Sequence, residues 1–449
     1  MKNRLQIFLI FICFPLFCWG YKPGSEEKTI IDFLNLRFGM FIHYNMATYH
    51  QEQWAYPFHD PKSFKPVKLD CKQWAQGAKS AGMKYAVFTA KHHDGFCLWD
   101  TSVSGYDIAN SDYKGLDIVK EYVEAFRAEG IKIGLYFSVM DWHHGIDKGK
   151  INQENIAFMK RQLTELLTNY GEIICIVIDG WGSKWGGPTF EELPFSVLAD
   201  HIHSIQPNCL VINHSCNTSL EQSQVIHYEA THGQHCPYDN TIPSQQGPTL
   251  QPAWFWEPGF EQEELKSVSD VNAELHFANN HYTNYLLNVS PNIDGLLDDN
   301  VIKRLKEIGE LVQVTTEKMT SLPTRTEVNR LVKVKASSQE KDYEAQHVID
   351  ANLHTNWKFL TTDKERWVEL NYGKPETFNK VICGEFYRDI KKFKIEAYVN
   401  HKWQEIAHGE EMGVNFQASF KAVTAQKYRL TILDYDRVPL LSEITFVQY

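Results

Sequence analysis

Beyond its first twenty residues this chain contains no apolar run long enough to cross a membrane. Basic residues are in the minority: 45 Lys and Arg stand against 56 Asp and Glu, a formal net charge of −11. That balance excludes a nucleic-acid binder, which needs a basic face. No CxxC pair occurs. Of the nine cysteines, Cys13 and Cys18 lie in the N-terminal apolar run, leaving Cys71, Cys97, Cys175, Cys209, Cys216, Cys236 and Cys383. An odd set without paired spacing indicates neither a disulfide framework nor a structural zinc site, and Cys175 and Cys209 read as core thiols. GxSxG, P-loop and GxGxxG are absent, so nothing points to ester hydrolysis, phosphoryl transfer or a dinucleotide.

What is present starts with aromatic residues: 12 Trp, 21 Tyr and 26 Phe. Flat rings can cover the apolar face of a pyranose or fill two aromatic-rich cores. Hydrophobic residues make up 43% of a 449-residue chain, enough for two domains with substantial cores. Lys2 and Arg4 precede the apolar run 5–16, which ends near Gly20; this is the pattern of a cleaved signal peptide, residues 1–20, and predicts a secreted or periplasmic protein. Phe17 disfavours lipidation of Cys18.

From residue 35 to 314 short apolar runs alternate with amphipathic stretches. The runs are 37–44, 84–90, 131–138, 173–179, 209–213, 224–229, 253–256 and 285–289. Helical periodicity covers 72–81, 116–129, 152–169 and 301–312. Eight buried strands alternating with helices predict a TIM-type (β/α)8 barrel over 21–325. Residues 230–253, rich in Pro, Gly and polar groups, read as a long loop. After Pro323 strand-like runs (367–370, 392–399, 428–433) replace the alternation. They predict an all-β, jelly-roll-like sandwich over 330–449, joined through a linker at 320–330.

A TIM barrel carries its site at the C-terminal strand ends. Those ends read His43-Tyr44-Asn45, Lys91-His92-His93-Asp94, Tyr136-Phe137-Ser138, Asp179-Gly180, His227-Tyr228-Glu229, Trp254-Phe255-Trp256 and Asn288. Asp179 and Glu229 each close an apolar run. A lone carboxylate there is often a cap or an ion-pair partner. A pair at one barrel mouth suits glycoside hydrolysis, where one acid stays ionised and the other protonates the leaving oxygen. On this reading an apolar setting holds Glu229 protonated, and Trp54 and Trp254 wall the sugar's apolar patch. His92 and His93 suggest a metal at first sight. Neighbouring strand residues point to opposite faces, however, so hydrogen bonding to sugar hydroxyls is the better use and no catalytic metal is expected.

Here the sequence resembles the α-L-fucosidases of glycoside hydrolase family 29. The similarity rests on Phe38-Gly39-Met40-Phe41-Ile42-His43-Tyr44-Asn45, Thr89-Ala90-Lys91-His92-His93-Asp94-Gly95-Phe96, Gly134-Leu135-Tyr136-Phe137-Ser138, Ile178-Asp179-Gly180, Trp254-Phe255-Trp256 and Asn288-Val289-Ser290-Pro291. It implies exo-cleavage of terminal α-L-fucose with retention, without a cofactor. It puts Asp179 at the nucleophile's position, Glu229 at the acid/base with Glu221 as runner-up, and His43, His92, His93, Tyr136 and Trp254 in the fucose shell. Many relatives carry Glu-Trp where this chain has Gln53-Trp54, so α-L-galactose, which adds a hydroxyl at C6, stays open as the sugar. A catalytically inactive glycan-binding protein is the rival from another class. The stretch 61–66 is similar to the branch acting on α-1,3 and α-1,4 fucose of branched glycans. The tail resembles a coagulation factor 5/8 type C (discoidin-like) module, through 345–357, 366–370 and 439–447. Such modules often bind sugars and hold a structural calcium, with Asp350 and Glu443 as candidate ligands. The expected partners are fucosylated oligosaccharides; the oligomeric state stays open.

Overall fold

The computed structural model describes residues 23–448 apart from 114–116, 183–185, 215–221, 239, 323–331, 351–354 and 414–415. The signal peptide, Cys216, Glu221 and most of the linker at 320–330 lie outside the described residues.

Eight parallel strands close a barrel in sequence order. They are β1 (Phe38–Ile42), β2 (Tyr85–Lys91), β3 (Lys132–Ser138), β4 (Cys175–Asp179), β5 (Leu210–Asn213), β6 (Ile226–Tyr228), β7 (Ser244–Gln246) and β8 (Thr283–Asn288). The helices are α1 (Pro23–Leu34) before β1, a short α2 (Met46–His50), α3 (Cys71–Ser80), α4 (Ile118–Ala128), α5 (Gln153–Asn169), α6 (Phe195–Ile205), α7 (Val268–Asn280) and α8 (Asp299–Leu311); among the described residues the β5–β6 and β6–β7 connections carry no α-helix. Their starts are fixed locally. Asp70, Asp117, Asn152 and Ser267 accept from the first free backbone N–H groups of α3, α4, α5 and α7.

One strand departs from expectation. The seventh is Ser244–Gln246, inside the stretch read as a loop, while 253–256 lies in the β7–α7 connection. A three-residue strand of serine and glutamines carries no apolar signal, and its burial is tolerated because the barrel interior is polar there. Gln245 Oε1 accepts from Tyr85 Oη at 2.9 Å, and its Nε2 lies 2.9 Å from His227 Nδ1.

Strand alternation sorts the barrel into two layers. Phe38, Met40 and Ile42 of β1 pack outward with the helices, while Phe41, Tyr85, Val87, Tyr136, Cys175, Val177, Leu210, Ile212 and Leu286 form the inner cluster, to which α1 adds Ile30, Phe33 and Leu34. Gly39 is required on the inner face: a Cβ there would lie 2.5 Å from the Tyr85 ring.

The C-terminal part is a separate antiparallel domain. β9 (Lys333–Ala336), β10 (Trp367–Glu385), β11 (Ile390–Val399), β12 (Lys402–Gly409), β13 (Phe416–Tyr435) and β14 (Leu441–Val447) form a sheet ordered β12-β11-β13-β10-β14, with β9 also on β10. It has its own core around Trp357, Phe393, Tyr428 and Phe446. Cys71, Cys97, Cys175, Cys209, Cys236 and Cys383 are buried free thiols, as core thiols should be.

Candidate active site

The inner columns of the strands, followed to their C-terminal ends, build the site. Phe41 leads to His43, Tyr136 to Ser138, Val177 to Asp179, Ile212 to His214, His227 to Glu229 and Leu286 to Asn288. Period-two geometry therefore aims each of these side chains at the mouth.

Asp179 lies on the floor. Its Oδ2 accepts from Tyr136 Oη at 2.7 Å and sits 3.4 Å from His214 Nδ1 and 3.5 Å from His93 Nε2. Oδ1 accepts from the Gly180 N–H at 2.6 Å. Burial alone would raise this carboxyl. The charge and hydrogen bond of His214, then His93 and Tyr136, outweigh burial and hold it well below the usual carboxylate range. Reciprocally, burial pushes His214 down, but Asp179 and then Glu229 lift it above the ordinary imidazole value.

Burial disfavours the charged form of three of the histidines around it. Burial pushes His43 down to about 3 and His92 well below its usual value, and it lowers His93 against the pull of Asp179. His43 Nδ1 lies 2.7 Å from Asn288 Oδ1. The Asn288 amide nitrogen is committed to Trp254 O and Ser290 Oγ, so Nδ1 of His43 donates and Nε2 is left as an acceptor. His93 Nδ1 is 2.7 Å from Ser138 Oγ. His92 and His93 do not point to opposite faces. Their rings are 4.2 Å apart, because residues 92–95 leave β2 in a turn whose Gly95 has φ 98°. Among the described residues no group of His, Cys, Asp and Glu could hold a metal.

Glu229, 7% exposed, follows β6 and acts electrostatically on His93, Tyr136 and His214, the same groups that surround Asp179. Its surroundings are less apolar than expected. Oε1 lies 2.6 Å from Nδ1 of half-exposed His232, and this hydrogen bond raises the His232 imidazole. Trp254 completes the wall, with its ring 4.9 Å from His43 and 5.8 Å from His214. Phe255 packs edge-on against His43 and His92. Several buried nitrogens at this mouth, His92 Nδ1, His214 Nε2 and Trp254 Nε1 among them, have no hydrogen-bond partner among the described residues. Buried polar atoms left open around a fixed carboxylate are what a polyhydroxylated ligand would satisfy.

The sequence profile of α-L-fucosidases matches residues 44–317. The chain belongs to the α-L-fucosidase family. It is a glycoside hydrolase that acts on fucose-bearing glycans. The F5/8 type C profile matches residues 333–444. α-L-Fucosidase 1 of Arabidopsis thaliana is 26% identical over 441 residues, covering 90% of this chain and 83% of that one. Tissue α-L-fucosidase of Rattus norvegicus is 25% identical over 275 residues, 58% of this chain and 57% of its own. Among solved structures, α-L-fucosidase isoenzyme 1 from Paenibacillus thiaminolyticus superimposes with a TM-score of 0.56 at 22% identity, over 92% of this chain and 100% of that one. A Ruminococcus gnavus family 29 fucosidase in complex with fucose gives 0.55 at 21% identity, over 94% of both chains.

Gln53 and Trp54, expected in the sugar shell, lie in the connection from β1 to α3. The Gln53 amide clamps a loop: Nε2 donates to Phe255 O at 3.2 Å and Glu257 Oε1 at 2.7 Å, and Oε1 accepts from Phe255 N at 3.1 Å. Trp54 is 39% exposed. One inner residue was missed. His214 directly follows the apolar run 209–213, the one strand end not singled out, and reading that run one residue further finds it. His227, named at the sixth strand end without a role, has its ring 4.2 Å from that of His214. In the C-terminal domain, Asp350 Oδ2 accepts from Thr355 Oγ1 at 2.6 Å.

Proposed function

We propose that this fucosidase is a retaining exo-enzyme in which Asp179 is the nucleophile and Glu229 the acid/base. The observation that carries the reading is a buried carboxylate kept ionised by Tyr136, His93 and His214 at the barrel mouth. Asp179 attacks the anomeric carbon while Glu229 donates a proton to the departing oxygen. Glu229 then removes a proton from the water that attacks the fucosyl–Asp179 ester, and fucose leaves with its configuration retained. His43, His92 and Trp254 line the sugar, with imidazole nitrogens facing its hydroxyls. The His232 bond gives Glu229 a neighbour through which its proton can exchange with solvent. The fucose bound to the Ruminococcus gnavus relative supports the choice of sugar, and the stretch 61–66 supports α-1,3 and α-1,4 linkages on branched glycans. Lys2, Arg4 and the apolar run after them support export, so that the substrates are extracytoplasmic glycoconjugates.

Asp179→Ala tests this. Turnover of 4-nitrophenyl α-L-fucoside should fall by orders of magnitude, and added azide should restore part of it, giving the β-configured fucosyl azide. Near wild-type turnover would remove Asp179 as nucleophile. Comparing kcat/KM for nitrophenyl α-L-fucoside and α-L-galactoside decides the sugar.

A further inference from the structure

The connection from β1 to α3 carries two aromatic side chains that the barrel leaves in water. Tyr56 is 57% and Phe58 60% exposed, with the buried Ala55 anchoring the chain beside them. This loop is fastened along its length. Glu52 Oε2 accepts from Tyr56 N at 2.8 Å and lies 3.1 Å from His59 Nε2. His59 stacks on His50 with the planes 5° apart. Tyr56 packs edge-on against Phe58, with ring centres 5.5 Å apart. Two exposed rings held in one place by such contacts are preorganised for a ligand, because little side-chain entropy remains to be lost.

The loop is continuous with the active site at both ends. On one side Gln53 grips the backbone of Phe255, next to Trp254. On the other, Pro57 O lies 2.6 Å from His143 Nδ1, and the Phe58 ring is 5.6 Å from that of His143. The neighbouring Trp142 packs 6.1 Å from the ring of His93. The loop therefore runs from the Trp254 wall to the Trp142 wall. An exo-enzyme that buries the terminal sugar must leave the rest of the glycan at this level. The local carboxylates are already engaged, Glu52 by Tyr56 and His59 and Asp60 by the Lys62 N–H, so the ligand the loop suits is uncharged.

We infer that Tyr56 and Phe58 form a platform for the pyranose rings on the reducing side of the scissile bond. The substrate class is thus a fucosylated oligosaccharide rather than a fucoside of a small aglycone. This rests on the proposed exo-fucosidase reading. A pyranose C–H face lies on an aromatic ring much as another ring would, and two such contacts amount to roughly tenfold in kcat/KM.

The test is the double variant Tyr56→Ala/Phe58→Ala in the full chain. Its kcat/KM on a trisaccharide carrying α-1,3- or α-1,4-linked fucose should fall by about tenfold, mainly through KM, while that on 4-nitrophenyl α-L-fucoside stays unchanged. Calorimetric titration with the defucosylated disaccharide should show binding to wild type and its loss in the variant. Unchanged trisaccharide kinetics, a parallel loss on both substrates, or a disaccharide signal that survives in the variant would overturn the platform. So would a change of mass in light scattering without a change in substrate ratio, which would assign the rings to a second copy of this chain. If wild type cleaves neither fucoside, the catalytic reading fails, and the disaccharide titration still decides the platform.

Discussion

Asp179 is buried and yet ionised, which costs free energy unless the charge is answered nearby. Tyr136 Oη supplies the shortest side-chain contact, 2.7 Å to Oδ2. A hydrogen bond to a charged group contributes roughly 1.5–3 kcal/mol, so Tyr136→Phe should lower kcat/KM by about ten- to a hundredfold with little change in thermal stability. Steady-state kinetics and a melting curve check this together, and wild-type kcat/KM would show that the bond does not serve the reaction. His232 offers a second measurement. Its imidazole is raised by the hydrogen bond it donates to Glu229. A raised imidazole stabilises the fold fully below its ordinary value and loses that contribution as pH rises through the raised one. Glu229→Gln removes the negative partner, so the His232 titration followed by NMR should move to lower pH. An unmoved titration would mean that the pair does not form in solution.

At the scale of elements, the site depends on loops locked to one another. Gln53 ties the β1–α2 side of the mouth to the loop bearing Trp254 through three hydrogen bonds. Gln53→Glu should raise KM. A carboxylate cannot donate to Phe255 O and would face Glu257 as a like charge, a penalty of about 1–3 kcal/mol. A lower KM in this variant would refute the clamp. Away from the mouth, α3 and α8 meet at Gly309, where a Cβ would lie 1.7 Å from the Ser80 carbonyl. Backbone cannot yield as a side-chain tip does, so Gly309→Ala should force the helices apart and cost about 1–3 kcal/mol, read as a Tm lowered by several degrees. An unchanged Tm would show the contact to be loose.

The whole molecule divides its labour. The barrel and the C-terminal sheet have separate cores, and every candidate catalytic and sugar-shell residue lies before residue 290. A chain ending at residue 322 should therefore keep its kcat/KM on nitrophenyl fucoside, while a sugar-binding contribution of the F5/8 type C domain would appear only on large glycans. Loss of aryl-fucoside activity in a folded truncated chain would show that the second domain supports the mouth.

The sequence by itself determined the barrel, because strands buried on both faces must be almost wholly apolar and those runs are visible without coordinates. It also determined Asp179, His43, Tyr136 and Glu229 as strand-end residues, since alternation along a strand is a local property. Tertiary structure alone decided the seventh strand, whose Ser-Gln-Gln sequence is held inside by hydrogen bonds from Tyr85 across the barrel and to His227 on the neighbouring strand. It also decided that Gln53 grips the loop of Phe255, and that His232 reaches Glu229. Those outcomes depend on groups far apart in sequence or on the path of a turn. No local period encodes which distant partner a polar side chain will find, so packing had to choose it.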